Sequence, residues 1–295
     1  MKVLVTGANG FLGYYLVKQL LEKDFYVIAT GKGTNRLPFH GQSNFIYKEM
    51  DITDPFRVHD VFEEYKPDVM IHSAAMSKPD ECELNQWEAY LVNVEGTISI
   101  LLNAAEYKSH FIFLSTDFVF DGIKGMYKED ETPNPVNFYG KTKLEAEDAV
   151  KEYEHAWAIV RTITVYGKTY SGRISFPELI KEKLEKGENY NVFDDQLRTP
   201  TYVEDLASGI ISIIEKKATG IYHLSGADVM TPYQMALKVA GRLHLDSSPL
   251  KKVTASEFPR PATRPLKTGF VIDKAKIDLG FDPIGFQEGL KKTFC

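Results

Sequence analysis

Tyr139 and Lys143 stand four residues apart. On a helix, that spacing puts a phenol and an ammonium on one face. A free phenol has a pKa of about 10 and is nearly inert as an acid or base at neutral pH. A neighbouring ammonium favours the phenolate and is expected to draw that pKa towards the working range. Upstream, Ser115-Thr116-Asp117 closes an apolar run and presents a hydroxyl able to bond a carbonyl oxygen. A hydroxyl, a tuned phenol and a cation at one point are what hydride transfer to a ketone uses, with Tyr139 as the proton donor. The same tyrosine–lysine spacing recurs at Tyr14 and Lys18, which chance provides among 16 tyrosines. Tyr14 lies too far along the first helix to face a nicotinamide, so position selects Tyr139.

The group that would supply a hydride has its own signature. The first apolar run, residues 2–6, ends in Thr6-Gly7-Ala8-Asn9-Gly10-Phe11-Leu12-Gly13. Glycines so spaced between a strand and an amphipathic helix form a phosphate cradle. Gly7 permits the tight turn, Gly10 lets backbone approach a pyrophosphate, and Gly13 lets the helix pack on the strand. The helix N-terminus adds free N–H groups and a positive dipole. Gly7, Asn9, Gly10, Phe11, Leu12 and Gly13 are therefore candidate dinucleotide contacts. NAD selection normally places an acid at the end of the second strand. The segment here, residues 29–36, has none, and its Lys32 and Arg36 suit a 2′-phosphate. NADP(H) is accordingly favoured over NAD(H). Asp51 and Ile52, after the third strand, fall where an adenine would lie.

The elements that must hold these groups alternate. Short continuous apolar runs at 2–6, 25–29, 44–47, 68–72, 111–115 and 156–161 read as strands. Helical patterns fall at 11–23, 55–65, 86–105 and 137–153. Such a rhythm predicts an α/β fold, a Rossmann-type doubly wound parallel sheet. Tyr139 then opens a helix near the carboxyl ends of the strands, where ligands of such sheets bind. Further on, helices are expected at 174–186, 203–214 and 232–242, with short strands at 190–193 and 221–224. Four prolines mark 246–268 as an ordered surface loop. Residues 1–165 are expected to form the cofactor core, with 198–226 returning to it. Residues 166–197 and 227–295 are expected to make a smaller C-terminal α/β substrate-binding domain.

The chain has 295 residues, a formal charge of −6 and 43% hydrophobic residues. It is long enough to bury a large core, and its mild acidity leaves no footprint for nucleic acid or anionic lipid. No run is long enough to span a membrane, and the N-terminus lacks the pattern of a signal peptide. The two cysteines, Cys82 and Cys295, form neither a disulfide framework nor a zinc site and suit a reducing, cytoplasmic setting. Cys82, His72 and the other histidines read as structural. A homodimer through the outer helices is open.

In these motifs the chain resembles the extended short-chain dehydrogenase/reductases. The resemblance rests on the glycine loop, Asp51-Ile52, His72-Ser73-Ala74-Ala75, Val92-Asn93-Val94 and Tyr139 with Lys143. Within them it is most similar to the dTDP-4-dehydrorhamnose reductases, through Ser115-Thr116-Asp117-Phe118-Val119-Phe120-Asp121-Gly122, Tyr139-Gly140-Lys141-Thr142-Lys143-Leu144-Glu145, Arg161-Thr162, Asp195-Gln196 and Pro200-Thr201. The resemblance implies Thr116, Tyr139 and Lys143 as a catalytic triad. It also implies Ala74, Ala75 and Asn93 beside the cofactor, and a 4-keto-6-deoxy nucleotide sugar as substrate.

Three positions depart from that family. Thr164 stands where a sugar-packing tryptophan is usual, and Tyr15 where some members carry a metal-binding glutamate, so no metal is expected. Arg198 replaces part of a glycine-containing link and is a candidate to grip a diphosphate, as is Arg264. Asp117 and Phe118 flank the carbonyl site. A dehydratase would need a second acid where Phe118 stands. Two alternatives stay open: a nucleotide-sugar epimerase, and a non-catalytic NADP-binding regulatory subunit resembling the β subunit of methionine adenosyltransferase.

Overall fold

A computed structural model describes residues 1–295. Seven parallel strands form one sheet in the order β10-β6-β5-β4-β1-β2-β3. They are β1 (Lys2–Thr6), β2 (Tyr26–Gly31), β3 (Phe45–Glu49), β4 (Val69–His72), β5 (His110–Thr116), β6 (Trp157–Thr162) and β10 (Gly220–His223). The central strands are buried on both faces, which is why they read as unbroken apolar runs. One face is covered by α1 (Phe11–Glu22) and α8 (Val203–Lys216). The other is covered by α2 (Pro55–Tyr65), α5 (Gly96–Glu106) and α6 (Phe138–Lys151). The fold is the Rossmann-type α/β sheet that the sequence predicts. The late strand at 221–224 does return to it, pairing with β6 in register Gly220 to Ala158 through His223 to Arg161.

A separate apolar cluster lies beyond the sheet. It is built by α7 (Phe176–Glu185), β8 (Tyr190–Phe193), α9 (Pro232–Leu243), β11 (Leu250–Val253) and α11 (Phe286–Thr293). Two short strands, β7 (Val165–Tyr166) and β9 (Thr201–Tyr202), pair between the regions.

Three expectations need correction. The span 246–268 is not all loop: β11 pairs in parallel with β8 despite the surrounding prolines. Residues 227–295 do not pack as one unit, because Phe270, Ile272 and Phe281, with Ala275 and Leu279 of α10 (Asp273–Leu279), join the core cluster beside α8 and β10. The long helix over 86–105 is broken into α4 (Gln86–Tyr90), a π turn at Leu91–Glu95, and α5. The π turn carries Asn93, and a short helix α3 (Pro79–Leu84) precedes it.

Candidate active site

The carboxyl ends of β1, β4, β5 and β6 border a cleft of about 720 Å³. Gly7, Asn9, Gly10, Phe11, Leu12 and Gly13 form its floor. Gly7 has φ +68°, and a Cβ there would meet the Ala74 backbone nitrogen at 2.9 Å. At Gly13 a Cβ would lie 2.3 Å from the Gly7 oxygen and 2.6 Å from the Ala8 Cα. Helix α1 starts at Gly10 with no side-chain cap, so its first N–H groups are free for an anion. A dinucleotide's pyrophosphate fits this cradle. Gly13→Ala is expected to cost about 1–3 kcal/mol in stability, because only backbone surrounds the new methyl. It should also weaken NADPH binding, as read by fluorescence titration; unchanged affinity would count against the cradle.

Asn9 is buried and serves as a tie. Its Nδ2 donates to the Thr34 carbonyl at 3.0 Å and to the Tyr47 hydroxyl at 2.8 Å, while its Oδ1 accepts from the Arg36 N–H at 3.0 Å. It thereby fixes the β2–β3 loop over the cradle. Lys32 and Arg36 both line the cleft. Lys32 pairs with Asp51 at 2.8 Å, and Arg36 gives one Nη2 bond of 3.2 Å to the Asn9 carbonyl, keeping donors to spare. Burial pushes the Asp51 carboxyl up, but bonds from Lys32 and Thr53 outweigh it and hold the group below the usual range. Ile52, Ala74 and Ala75 line the cleft; Asp51 itself is engaged by Lys32. Ala74 is set beside Gly7 by Thr6, whose Oγ1 accepts from the Ala74 N–H at 3.2 Å.

Tyr139 and Lys143 project from α6 into the same cleft. Asn137 caps this helix, accepting from the Gly140 N–H at 2.9 Å, and donates to the Thr263 carbonyl at 2.7 Å. Gly140 is needed for the approach: a Cβ would lie 2.1 Å from the Phe118 oxygen. Phe118 packs edge-on to Tyr139, with ring centroids 5.8 Å apart. The Thr116 hydroxyl accepts from the Phe118 N–H and donates to Asp117 Oδ1, each at 3.2 Å.

The electrostatics differ from expectation. Burial pushes the Tyr139 phenol well above its ordinary pKa; the Thr116 hydroxyl beside it opposes this, and Asp117 and Cys82 add to it. Burial also pushes Lys143 down to about 7, with Glu147 and Cys82 opposing. The ammonium therefore does not draw the phenol down: desolvation of both groups dominates. Lys143 Nζ sits 3.9 Å from the Phe113 ring centroid and makes no hydrogen bond within the protein.

Thr116, Asp117 and Phe118 lie beside Tyr139 but not on the cleft wall, and four further candidates lie elsewhere than expected. Asn93 is not at the cleft wall: it braces the Met76 backbone through both side-chain atoms and donates to Thr142 Oγ1 at 3.0 Å. Arg198 is buried, and its guanidinium is spent on the carbonyls of Leu197, Pro265 and Leu266 and on Gln196. It cannot also grip a diphosphate bidentately. Arg264 is spent likewise, forked onto Asp80 with two bonds of 2.8 Å. Thr164 is absent from the cleft wall, which Thr162 and Val165 form; its φ of +40° is unusual for a β-branched residue. Asp117 is buried, and burial raises its pKa against the opposing pull of Arg198.

Sequence reading missed Ser115 as a wall residue and Cys82 as a neighbour of Tyr139 in a small apolar cluster. It also missed the buried fork of Arg161 on Glu147. Glu147 had a signal, since it continues the Tyr139–Lys143 spacing by one more turn. At the metal-linked position Tyr15 is buried and donates to the Lys168 carbonyl.

Comparison with known proteins fits this geometry. The sequence profile of the RmlD substrate binding domain matches residues 1–295. The chain belongs to the RmlD substrate binding domain family. Within the RmlD family's neighbourhood, it is similar to the dTDP-4-dehydrorhamnose reductase of Clostridium acetobutylicum. That match has 31% identity and TM-score 0.87, over 100% of this chain and 98% of that one. The dTDP-4-dehydrorhamnose reductase of Bacillus anthracis, solved in complex with NADP, is 30% identical with TM-score 0.84, over 99% and 98% of the two chains. Methionine adenosyltransferase 2 subunit beta of Xenopus tropicalis is 34% identical over 269 residues, 88% of this chain and 78% of that protein. No helix is long and apolar enough to cross a membrane.

Proposed function

We propose that the protein is an NADPH-dependent reductase of a 4-keto-6-deoxy nucleotide sugar. One observation carries this reading: Tyr139 and Lys143 line the same cleft as the glycine cradle. The reductase from Bacillus anthracis that holds NADP supports it. When bound, the dinucleotide supplies the hydride, here to C4. The chain's own residues do the rest. Gly7, Gly10 and Gly13 hold the pyrophosphate, and Lys143 holds the ribose hydroxyls.

The raised phenol of Tyr139 suits this direction of reaction. It stays protonated at neutral pH and yields its proton only to a strong base, the oxyanion that forms as the carbonyl is reduced. Thr116 exchanges its 3.2 Å bond to Asp117 for the same oxygen. The unit around α7, α9 and α11 covers the sugar side. Its diphosphate contacts lie outside Arg198 and Arg264, which are already engaged.

The test is a panel of 4-keto-6-deoxy nucleotide sugars with NADPH, followed by loss of reduced-nicotinamide absorbance. Oxidation with at least one sugar is expected, and none with any would end the reductase reading. A second reading, a regulatory subunit that binds NADP without turnover, is favoured by the likeness to methionine adenosyltransferase 2 subunit beta. That outcome is NADPH binding without oxidation across the panel.

Coenzyme choice has its own test. Lys32→Ala with Arg36→Ala should weaken NADPH by roughly tenfold or more and NADH far less, since a charge-assisted contact is worth about 1.5–3 kcal/mol. Equal loss for both would remove the 2′-phosphate assignment.

A further inference from the structure

Helix α6 carries three buried groups at successive turns on one face: Tyr139, Lys143 and Glu147. The first two face the cleft. The third is held from two sides. Arg161 on β6 donates Nε to Glu147 Oε1 at 3.0 Å and Nη2 to Oε2 at 2.7 Å. Ser115 on β5, itself a wall residue, donates its hydroxyl to Oε1 at 2.5 Å. The remaining guanidinium nitrogen, Nη1, is buried without a partner, and the guanidinium carbon lies 5.1 Å from the Phe120 ring centroid.

A buried ion pair exchanged for apolar residues of like volume is often neutral or stabilising, so stability alone does not account for this one. The carboxylate lies one turn below Lys143, between two cations. Glu81, Glu88, Lys32 and Arg36 line the same cleft, whereas the buried titratable groups Cys82, His72 and Tyr139 beside Lys143 carry no charge at neutral pH. Burial pushes Cys82 on α3 up to about 11, His72 on β4 down to about 3, and Tyr139 upward. Asp117, beyond Tyr139, is pushed upward by burial and bonded to Thr116 and Thr268. Glu147 is therefore the acid that opposes the desolvation of Lys143.

We propose that Glu147 is a positioning residue: fixed by Arg161 and Ser115, its carboxylate holds the charge on Lys143 and so sets the pH range over which the dinucleotide is gripped. This inference rests on the cofactor reading above, but not on the sugar or on turnover.

The sign follows from linkage. Free Lys143 loses its proton near pH 7, and a ribose and an anionic dinucleotide favour the ammonium. Binding then takes up a proton. Affinity is flat below about pH 7 and falls up to tenfold per unit above it, until the bound lysine also titrates.

The experiment is NADPH titration from pH 5.5 to roughly 9 on the full chain. Glu147→Gln should move the falling limb to lower pH, with affinity near wild type at the acid end and about tenfold weaker at pH 8. That difference corresponds to a displacement of one unit. Because a lone buried Arg161 endangers folding, Glu147→Gln with Arg161→Met is the second variant; it should show the same displaced limb. Glu147→Asp should restore much of the wild-type profile. A limb that stays at its wild-type pH, or a loss equal at every pH, overturns the inference while leaving the cofactor reading intact. Wild type that binds no NADPH at any pH removes both.

Discussion

Tyr139→Phe should lower the rate of NADPH oxidation with a 4-keto sugar nucleotide by about 10²–10⁴-fold while leaving NADPH affinity within a few-fold of wild type. The magnitude is that of a removed general acid. The specificity of the effect comes from the surroundings. The ring would keep its edge contact with Phe118 and its place beside Cys82 and Ala89, so only the hydroxyl is lost. The phenol's raised pKa also predicts a broad plateau. As the proton donor, Tyr139 remains in its active form through neutral and mildly alkaline pH. Any alkaline loss near pH 7 to 8 should therefore appear in KM for the coenzyme, through Lys143, and not in kcat. A Phe variant as active as wild type would place the proton donor elsewhere. One that loses NADPH binding would make Tyr139 a structural residue.

Arg161→Met should cost about 3–5 kcal/mol of stability, because it leaves the Glu147 carboxylate buried with only Ser115 as donor. Arg161→Met combined with Glu147→Leu should regain most of that loss, since neither charge then remains to be desolvated. Denaturant midpoints for wild type and both variants measure this. A single variant as stable as wild type would show that the pair is hydrated or mobile. A double variant no better than the single would show that packing, and not charge, is what Arg161 contributes; its side chain is among the largest that are fully buried.

The sheet was legible because strands buried on both faces leave continuous apolar runs. The cradle was legible because its glycines answer to backbone geometry, as Gly7 and Gly13 show. What stayed hidden depends on contacts between residues far apart in the chain. Arg198 reads as a free cation until the carbonyls of Pro265 and Leu266 meet it. Lys32 reads as unpaired until the end of β3 brings Asp51 to it. The break in the long helix falls just before Gly96, a single glycine that a helical pattern tolerates. Asn93 lies within the π turn, with its side chain turned to the Met76 backbone, a contact that spacing does not reveal. Strand β11, with the sequence LKKV, has two exposed lysines and pairs only with β8, so neither its composition nor its setting announces a strand. The upward shift of Tyr139 runs against its spacing for a related reason: spacing reveals a neighbour, whereas desolvation depends on everything that covers the pair.

One of the two edge strands of the sheet, β10, comes from the second half of the chain. During translation β6 is finished roughly sixty residues before β10, so its outer edge has no partner for several seconds at ordinary elongation rates. Ala158, Ile159 and Val160 lie on that open edge, and the apolar faces later covered by α8 and by Phe270, Ile272 and Phe281 are bare as well. A nascent or truncated chain ending near residue 165 thus presents an adhesive parallel edge. Ribosome-associated chaperones should therefore hold the nascent chain longest just before residue 223 emerges.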